Sequence, residues 1–369
     1  MRSLLVSIVL LLVITAAWVI NSKPVEFVHG INDYFSFYGG AKLLPSGQLY
    51  DAAAMQELQI RTLGGVMPNV LYIRPPFEAL LLCPLALLPY SASYWTYQAL
   101  SLAAVIVFML LYRREVPEIV PLAGVSFPLA CAFLNGQDVP FILLAAGAGM
   151  LLFHRGREVA AGLVLALCST KPHLFAFVAL AFLLHRRWRV IAGGAIGVTV
   201  LVGLSFLAAG RDWPARFLET IANPAIHPNP AGMGNLYALA NGFTPLLAWT
   251  YVPLLLLTAG AFLYLAFRDH STERVVAYGL VAGLLAGRHA FCQDYSLLLL
   301  FYVLLYPYPE AVNREWLRWL CLPFLYLGLV SQTWLGAALP LALMAFLGLA
   351  AARLSPLPLR TPQPAPRMP

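Results

Sequence analysis

Eight polar residues stand where apolar patterning gives no reason for them: Asp33, Gln137, Asp138, Lys171, His173, Arg288, His289 and Asp294. Each lies in or beside a turn between apolar runs. Together they offer an acid or base, hydrogen-bond donors and several cations. That set suits proton removal from a hydroxyl coupled to departure of a phosphate, because Arg, Lys or His⁺ stabilises charge developing on the leaving group.

Asp33 is the sharpest of these and reads two ways. As a carboxylate at a membrane surface facing a cavity, its pKa would be raised by partial burial toward a useful general-base value. As the residue before Tyr34, it is equally a favoured N-cap for a helix. Asp51, after the Pro45-Ser46-Gly47-Gln48 turn, reads most simply as the cap of a helix starting at Ala52. Arg74 before Pro75-Pro76 is either a phosphate ligand or an interfacial anchor. Lys171 is either a phosphate contact or a lysine reaching out to a surface. His289 and Asp294 make a poor metal site, since two ligands form no shell; no metal is expected. They read better as a polar cluster, with Arg288 beside them, in a domain where ionisable groups are usually functional or face a cavity.

The elements that must position these residues are helices in lipid. Of the residues, 61% are hydrophobic and 11% charged, and the mean hydropathy is +0.78, far from an ordinary soluble domain. The chain reads as an all-α polytopic membrane protein. Apolar runs fall at 3–20, 72–89, 92–112, 116–134, 138–153, 158–170, 172–185, 190–209, 243–267, 274–288, 292–306, 315–333 and 335–352, giving 12 or 13 transmembrane or re-entrant helices. Several are shorter than the ~20 residues of a perpendicular span, so some are broken, paired or re-entrant. Run 3–20 lacks a small-residue cleavage site and is expected to stay as a first helix.

Basic residues cluster in short turns: Arg113-Arg114, 154–157, 185–189, Arg268, Arg314 and Arg318. This is the positive-inside pattern, and it accounts for the formal charge of +7 without any nucleic-acid partner. With those turns cytoplasmic, the opposite turns hold Asp33, Gln137, Lys171, the loop 210–242 and the 288–294 segment. One parity conflict appears. If 72–89 and 92–112 both span, Arg113-Arg114 falls outside; a re-entrant 72–89, broken at its prolines, removes the conflict. Residues 21–76 form a long first exoplasmic loop too rich in aromatics for disorder, with juxtamembrane helices. Residues 1–353 make one transmembrane catalytic domain, and the proline-rich 354–369 reads as a disordered cytoplasmic tail. The five cysteines sit in apolar segments and form no C-x-x-C pair, which reads as buried small hydrophobes.

The order of features resembles the C-type glycosyltransferases, and most closely glycosyltransferase family 87. Carrying the resemblance are Asp33 after the first helix, Gly47 to Asp51, Tyr72 with Pro75-Pro76, Pro84-Leu85, Gly136-Gln137, Ala161-Gly162-Leu163 before Lys171-Pro172, and His289 with Asp294-Tyr295, over residues 1–307. It implies a C-type glycosyltransferase-like fold, with Asp33 in the first exoplasmic loop taking the proton from an acceptor hydroxyl. It further implies transfer of a hexose, mannose in the family, from a polyprenyl-phosphate sugar to a lipid or glycan acceptor, with inversion and without a cofactor. His289, Lys171, Arg74, Arg288, Gln137 and Asp294 would then bind donor phosphate or acceptor. The implied location is the inner (plasma) membrane, multi-pass, among membrane lipids. The alternative is a transporter or lipid flippase for envelope precursors, which would carry internal repeats and mid-membrane charges; neither is visible in the sequence. A non-catalytic membrane scaffold ranks below both.

Overall fold

The structure is a computed structural model and describes residues 2–66, 70–223, 229–242, 245–309, 314–321 and 323–354. The tail 355–369 and, within the second loop, Pro224, His227 and Pro228 lie outside the described residues. Among the described residues every regular element is helical.

Helix α1 (Arg2–Ser22) leads into α2 (Pro24–His29), α3 (Tyr34–Leu43) and α4 (Ala52–Leu63). Helix α5 (Pro76–Ala86) precedes the long α6 (Tyr90–Tyr112). Then follow α7 (Ile119–Gly124), α8 (Phe127–Leu134), α9 (Val139–His154), α10 (Glu158–Leu165), α11 (Pro172–Leu184) and α12 (Trp188–Ala209). The remainder comprises α13 (Trp213–Ala222), α14 (Leu236–Asn241), α15 (Tyr251–Arg268), α16 (Thr272–Ala286), α17 (Leu298–Leu305), α18 (Arg314–Cys321), α19 (Leu327–Val330) and α20 (Ala338–Arg353). Proline opens α2, α5, α8, α9, α11 and α13 at their first or second position, where its missing N–H costs nothing. The apolar run 116–134 is divided into α7 and α8, with Ser126 capping α8. Run 292–306 begins as 3-10 turns through Leu297 before α17.

Five helical segments are long and apolar enough to cross a membrane: 3–20, 90–112, 188–209, 248–268 and 334–353. In three of them, on α1, α12 and α15, only 22% of the span is buried. Leu207, Leu256 and Phe267 point outward there. Such faces are tolerable in lipid and not in water. Helix α17 is buried at every residue and α16 at most of its length, as expected of helices apolar all round at the centre of a bundle.

Consecutive helices run between two ends of this body. At one end, Asn32 Nδ2 donates to Leu134 O at 3.0 Å, Lys171 pairs with Asp138 at 3.0 Å, and Asn235 Nδ2 donates to Gly287 O at 2.7 Å. At the other, Arg187 lies 3.6 Å from Glu158, His185 Nδ1 lies 3.0 Å from Thr272 Oγ1, and Arg318 pairs with Glu118 at 2.8 Å. The basic turns thus gather opposite the loops that carry the candidate chemistry. Helix α5 keeps both its ends at the first of these. Its Phe77 N–H donates to Ser205 Oγ at 3.1 Å, and Ala86 packs with Tyr34, Tyr94 and Tyr97. The Tyr90 hydroxyl, just beyond it, donates to Gly30 O. Apolar run 72–89 is therefore a folded-back segment, and α6 alone carries the chain to Arg113-Arg114. That removes the parity conflict.

Candidate active site

The first loop is held in place by polar stitches. Ser36 Oγ donates to Leu71 O at 2.7 Å, Gln59 Nε2 to Val70 O at 3.1 Å, and the Tyr50 hydroxyl to Arg74 O at 2.8 Å. Helix α3 is docked by aromatic rings, with Tyr34 4.5 Å from Tyr97 and 5.6 Å from Tyr94 between centroids. These fix the segment that presents Asp33. Asp51 caps α4 as expected, accepting from Ala53 N and Ala54 N at 2.9 and 3.0 Å.

Asp33 occupies the cap position of α3 without capping it: its backbone is helical and its side chain accepts no bond from the first turn. The cap reading of the sequence is corrected here. Its carboxylate turns instead to Gln137, whose Nε2 donates to Oδ2 at 2.5 Å. A close approach of two loops makes this possible. A Cβ on Gly136 would meet Tyr34 Cβ at 2.7 Å and Asn32 Oδ1 at 2.8 Å, and the residue has φ +60°, so glycine is needed for space and for backbone alike. Asp33 lines a cavity of about 300 Å³ with Lys23, Glu26, Phe27, Ile31, Asn32, Val70, Leu134 and Asn135. Asp33 is itself exposed at this half-open cavity. Desolvation by the protein around this exposed residue pushes the Asp33 carboxyl above its ordinary 3.8, and the Gln137 hydrogen bond and the charges of Arg74, Lys171 and Lys23 pull partly against it.

Behind Gln137 lies a buried ion network. Asp138 pairs with Arg74 at 3.3 Å and with Lys171 at 3.0 Å, and Lys171 pairs with Asp294 at 2.6 Å. Glu78 of α5 lies 3.7 Å from Arg74. The Lys171 and Asp294 side chains are 4% and 3% exposed, so Lys171 is not a lysine reaching for a surface. Arg74 likewise points inward, which sets aside the anchor reading. Isolated buried ions are very costly, and the mutual pairing here is what makes them tolerable. Asp294 Oδ2 also accepts the Phe291 N–H at 2.9 Å, and His173 Nε2 contacts His289 O at 2.9 Å. Together these bonds shape the 288–294 segment.

The structure thus brings Asp33, Gln137, Asp138, Arg74, Lys171 and Asp294 into one connected set. Arg288 and His289 lie at the same end and are exposed, but neither lines the Asp33 cavity. Arg288 sits over the Tyr237 ring at 5.0 Å. Sequence reasoning missed Lys23, Glu26, Asn32 and Glu78. Glu78 had a signal, as an acid inside an apolar run; Asn32 had only its place beside Asp33. No group of three His, Cys, Asp or Glu residues suited to a metal occurs among the described residues, and Cys83, Cys131, Cys168 and Cys292 are free thiols.

A carboxylate with a reinforcing amide donor, at the wall of a cavity at the end of an apolar helical body, can accept a proton from a hydroxyl. No curated protein and no solved structure matches the chain. The resemblance read over residues 1–307 has its matched part at 72–287, which carries Arg74, Glu78, Gln137, Asp138 and Lys171. Through Gln137 that part reaches Asp33, and through Lys171 it reaches Asp294. More than half of the sequence matches, and the chain belongs to glycosyltransferase family 87.

Proposed function

We propose that this membrane glycosyltransferase moves a hexose, mannose by family resemblance, from a polyprenyl-phosphate sugar to a hydroxyl of a lipid or glycan acceptor. The reading puts the reaction on the exoplasmic side of the plasma membrane, opposite the basic turns. It carries C-type architecture with twelve passes, α5 being folded back. The observation that supports it most directly is the Asp33–Gln137 pair at the wall of the cavity.

The acceptor O–H gives its proton to the Asp33 carboxylate as the acceptor oxygen bonds the anomeric carbon. On the opposite face the bond from that carbon to the phosphate oxygen breaks, and its electron pair leaves with polyprenyl phosphate. The anomeric centre inverts. Gln137 holds Asp33 in place and favours its ionised form, ready to accept. Asp138, Arg74, Lys171 and Asp294 hold the loops that carry the two residues, and His289 and Arg288 stand at the edge where donor or acceptor enters.

The test is an Asp33→Asn variant in membranes supplied with radiolabelled polyprenyl-phosphate mannose. Transfer should fall about 10²- to 10⁴-fold, the range of a lost general base. Full retained transfer would remove Asp33 from the chemistry.

A further inference from the structure

We infer that Lys23 receives the donor's phosphate at the Asp33 cavity, exchanging its partner Glu26 for the phosphate oxygens; this rests on the transferase reading above. The family resemblance offered Arg74, Lys171 and Arg288 for that task. In the structure Arg74 and Lys171 are buried among Asp138, Asp294 and Glu78, two cations against three carboxylates. Their charge is already compensated, so the network holds little attraction for another anion. Arg288 lies over Tyr237 and outside the cavity.

Lys23 is the one cation among the residues that line the cavity with Asp33. Its height is right as well. From Ser3 to Ser22 the chain has no Asp, Glu, Lys or Arg, a stretch about 30 Å long as a helix, which is about the hydrocarbon thickness of a bilayer. Lys23 is therefore the first charge where hydrocarbon ends. A polyprenyl chain lying in lipid must hold its phosphate at that same level.

The resting pair is built to be exchanged. Lys23 Nζ lies 3.0 Å from Glu26 Oε2, with the two side chains 56% and 44% exposed. Exposed pairs of this kind contribute little, so a phosphate can displace Glu26 at small cost. The demand on Lys23 grows as the sugar leaves, because a phosphodiester with one negative charge becomes a monoester carrying close to two. A cation at this point favours departure as well as binding.

The experiment uses the full chain in phosphatidylcholine vesicles. Lys23→Met and Lys23→Gln should raise the KM for the polyprenyl-phosphate sugar about 10- to 100-fold, the range for a lost charged hydrogen bond, with the acceptor KM little changed. Lys23→Arg should recover most of the loss, and Glu26→Gln should leave the donor KM at or below its starting value. Binding of polyprenyl phosphate itself, measured on the inactive Asp33→Asn protein, should weaken on adding Lys23→Met. An unchanged donor KM in both neutral variants, with Asp33→Asn inactive, would sink the Lys23 assignment and leave the transferase reading standing. Transfer that survives Asp33→Asn would strike that reading instead. A Lys23 effect confined to vesicles containing phosphatidylglycerol would also overturn the assignment, since Lys23 would then be sensing bilayer charge.

Discussion

At the scale of single residues, the Asp33–Gln137 pair makes a pH-dependent prediction whose sign follows from desolvation of the carboxylate. Only the ionised carboxylate accepts a proton, and desolvation by the surrounding protein raises its pKa above 3.8, so the rate should fall as pH drops through a midpoint above the ordinary carboxylate value. The Gln137 amide favours the charged form. Gln137→Ala should therefore move the acid limb of the rate profile to higher pH, and the residual rate of Asp33→Asn should lack that limb. Stability has the opposite sense. A carboxyl whose folded-state pKa is raised favours the fold while protonated, and that contribution is lost as pH rises through the folded value. Asp33→Asn should thus melt no lower than the parent protein at neutral pH, which separates lost chemistry from lost fold. A Gln137→Ala profile superimposable on the parent would show that the amide does not tune the base. The roles of these residues were partly legible beforehand: Asp33 stood out because nothing apolar explained it, and Gln137 because it shared a turn with Asp138. Lys23 and Asn32 did not, since a lysine at a helix end and an asparagine in a turn are ordinary until another loop is known to face them.

At the scale of elements, the Lys171–Asp294 pair depends on how closely α11 approaches α16. Lys171 immediately precedes α11, and α16 ends just before the segment that carries Asp294. A Cβ on Gly279 would stand 3.0 Å from the Phe177 carbonyl, and one on Gly283 would press on the Leu174 backbone at 2.9 Å from its carbonyl carbon. Backbone cannot yield as a side-chain tip can, so Gly283→Ala should cost about 1–3 kcal/mol as overpacking, against a helix-propensity gain of about 1 kcal/mol. Transfer should fall with it, as α11 and α16 move apart. Gly260 on α15 has open space around it, and Gly260→Ala should leave both melting and transfer near the parent's. Equal behaviour of the two variants would show that close packing of these helices does not set the site. Helix positions were largely readable from apolar runs, because lipid demands long uncharged segments. The breaks were not: α7 and α8 divide one run, and α5 turns back where the pattern alone allowed a span. Whether a short apolar helix crosses depends on which partners it meets, and those are tertiary facts.

At the scale of the whole molecule, two ends with different chemistry face each other across an apolar body. Asp33, its cavity and the Arg74–Asp138–Lys171–Asp294 network lie at one, and Arg113-Arg114, 154–157, 185–189, Arg268 and Arg318 at the other. Translocation holds back basic loops more strongly than acidic ones, so the cavity end should face outward. That orientation depends on the folded-back α5, because a crossing α5 would carry Arg114 to the cavity side. Thiol labelling of intact cells with a membrane-impermeant reagent, in a Cys83→Ser background that removes the half-buried thiol of α5, separates the two arrangements, given that Cys131, Cys168 and Cys292 are buried. Ser46→Cys, on the exposed first loop, should label from outside. Arg114→Cys and Arg155→Cys, both exposed at the basic end, should label only after the membrane is opened. Because two passes, α7–α8 and α9, lie between Arg114 and Arg155, labelling of both from outside, in cells whose cytoplasmic proteins stay unlabelled, would mean that α5 crosses. Protection of Ser46→Cys would turn the whole body over and place the Asp33 cavity on the cytoplasmic face.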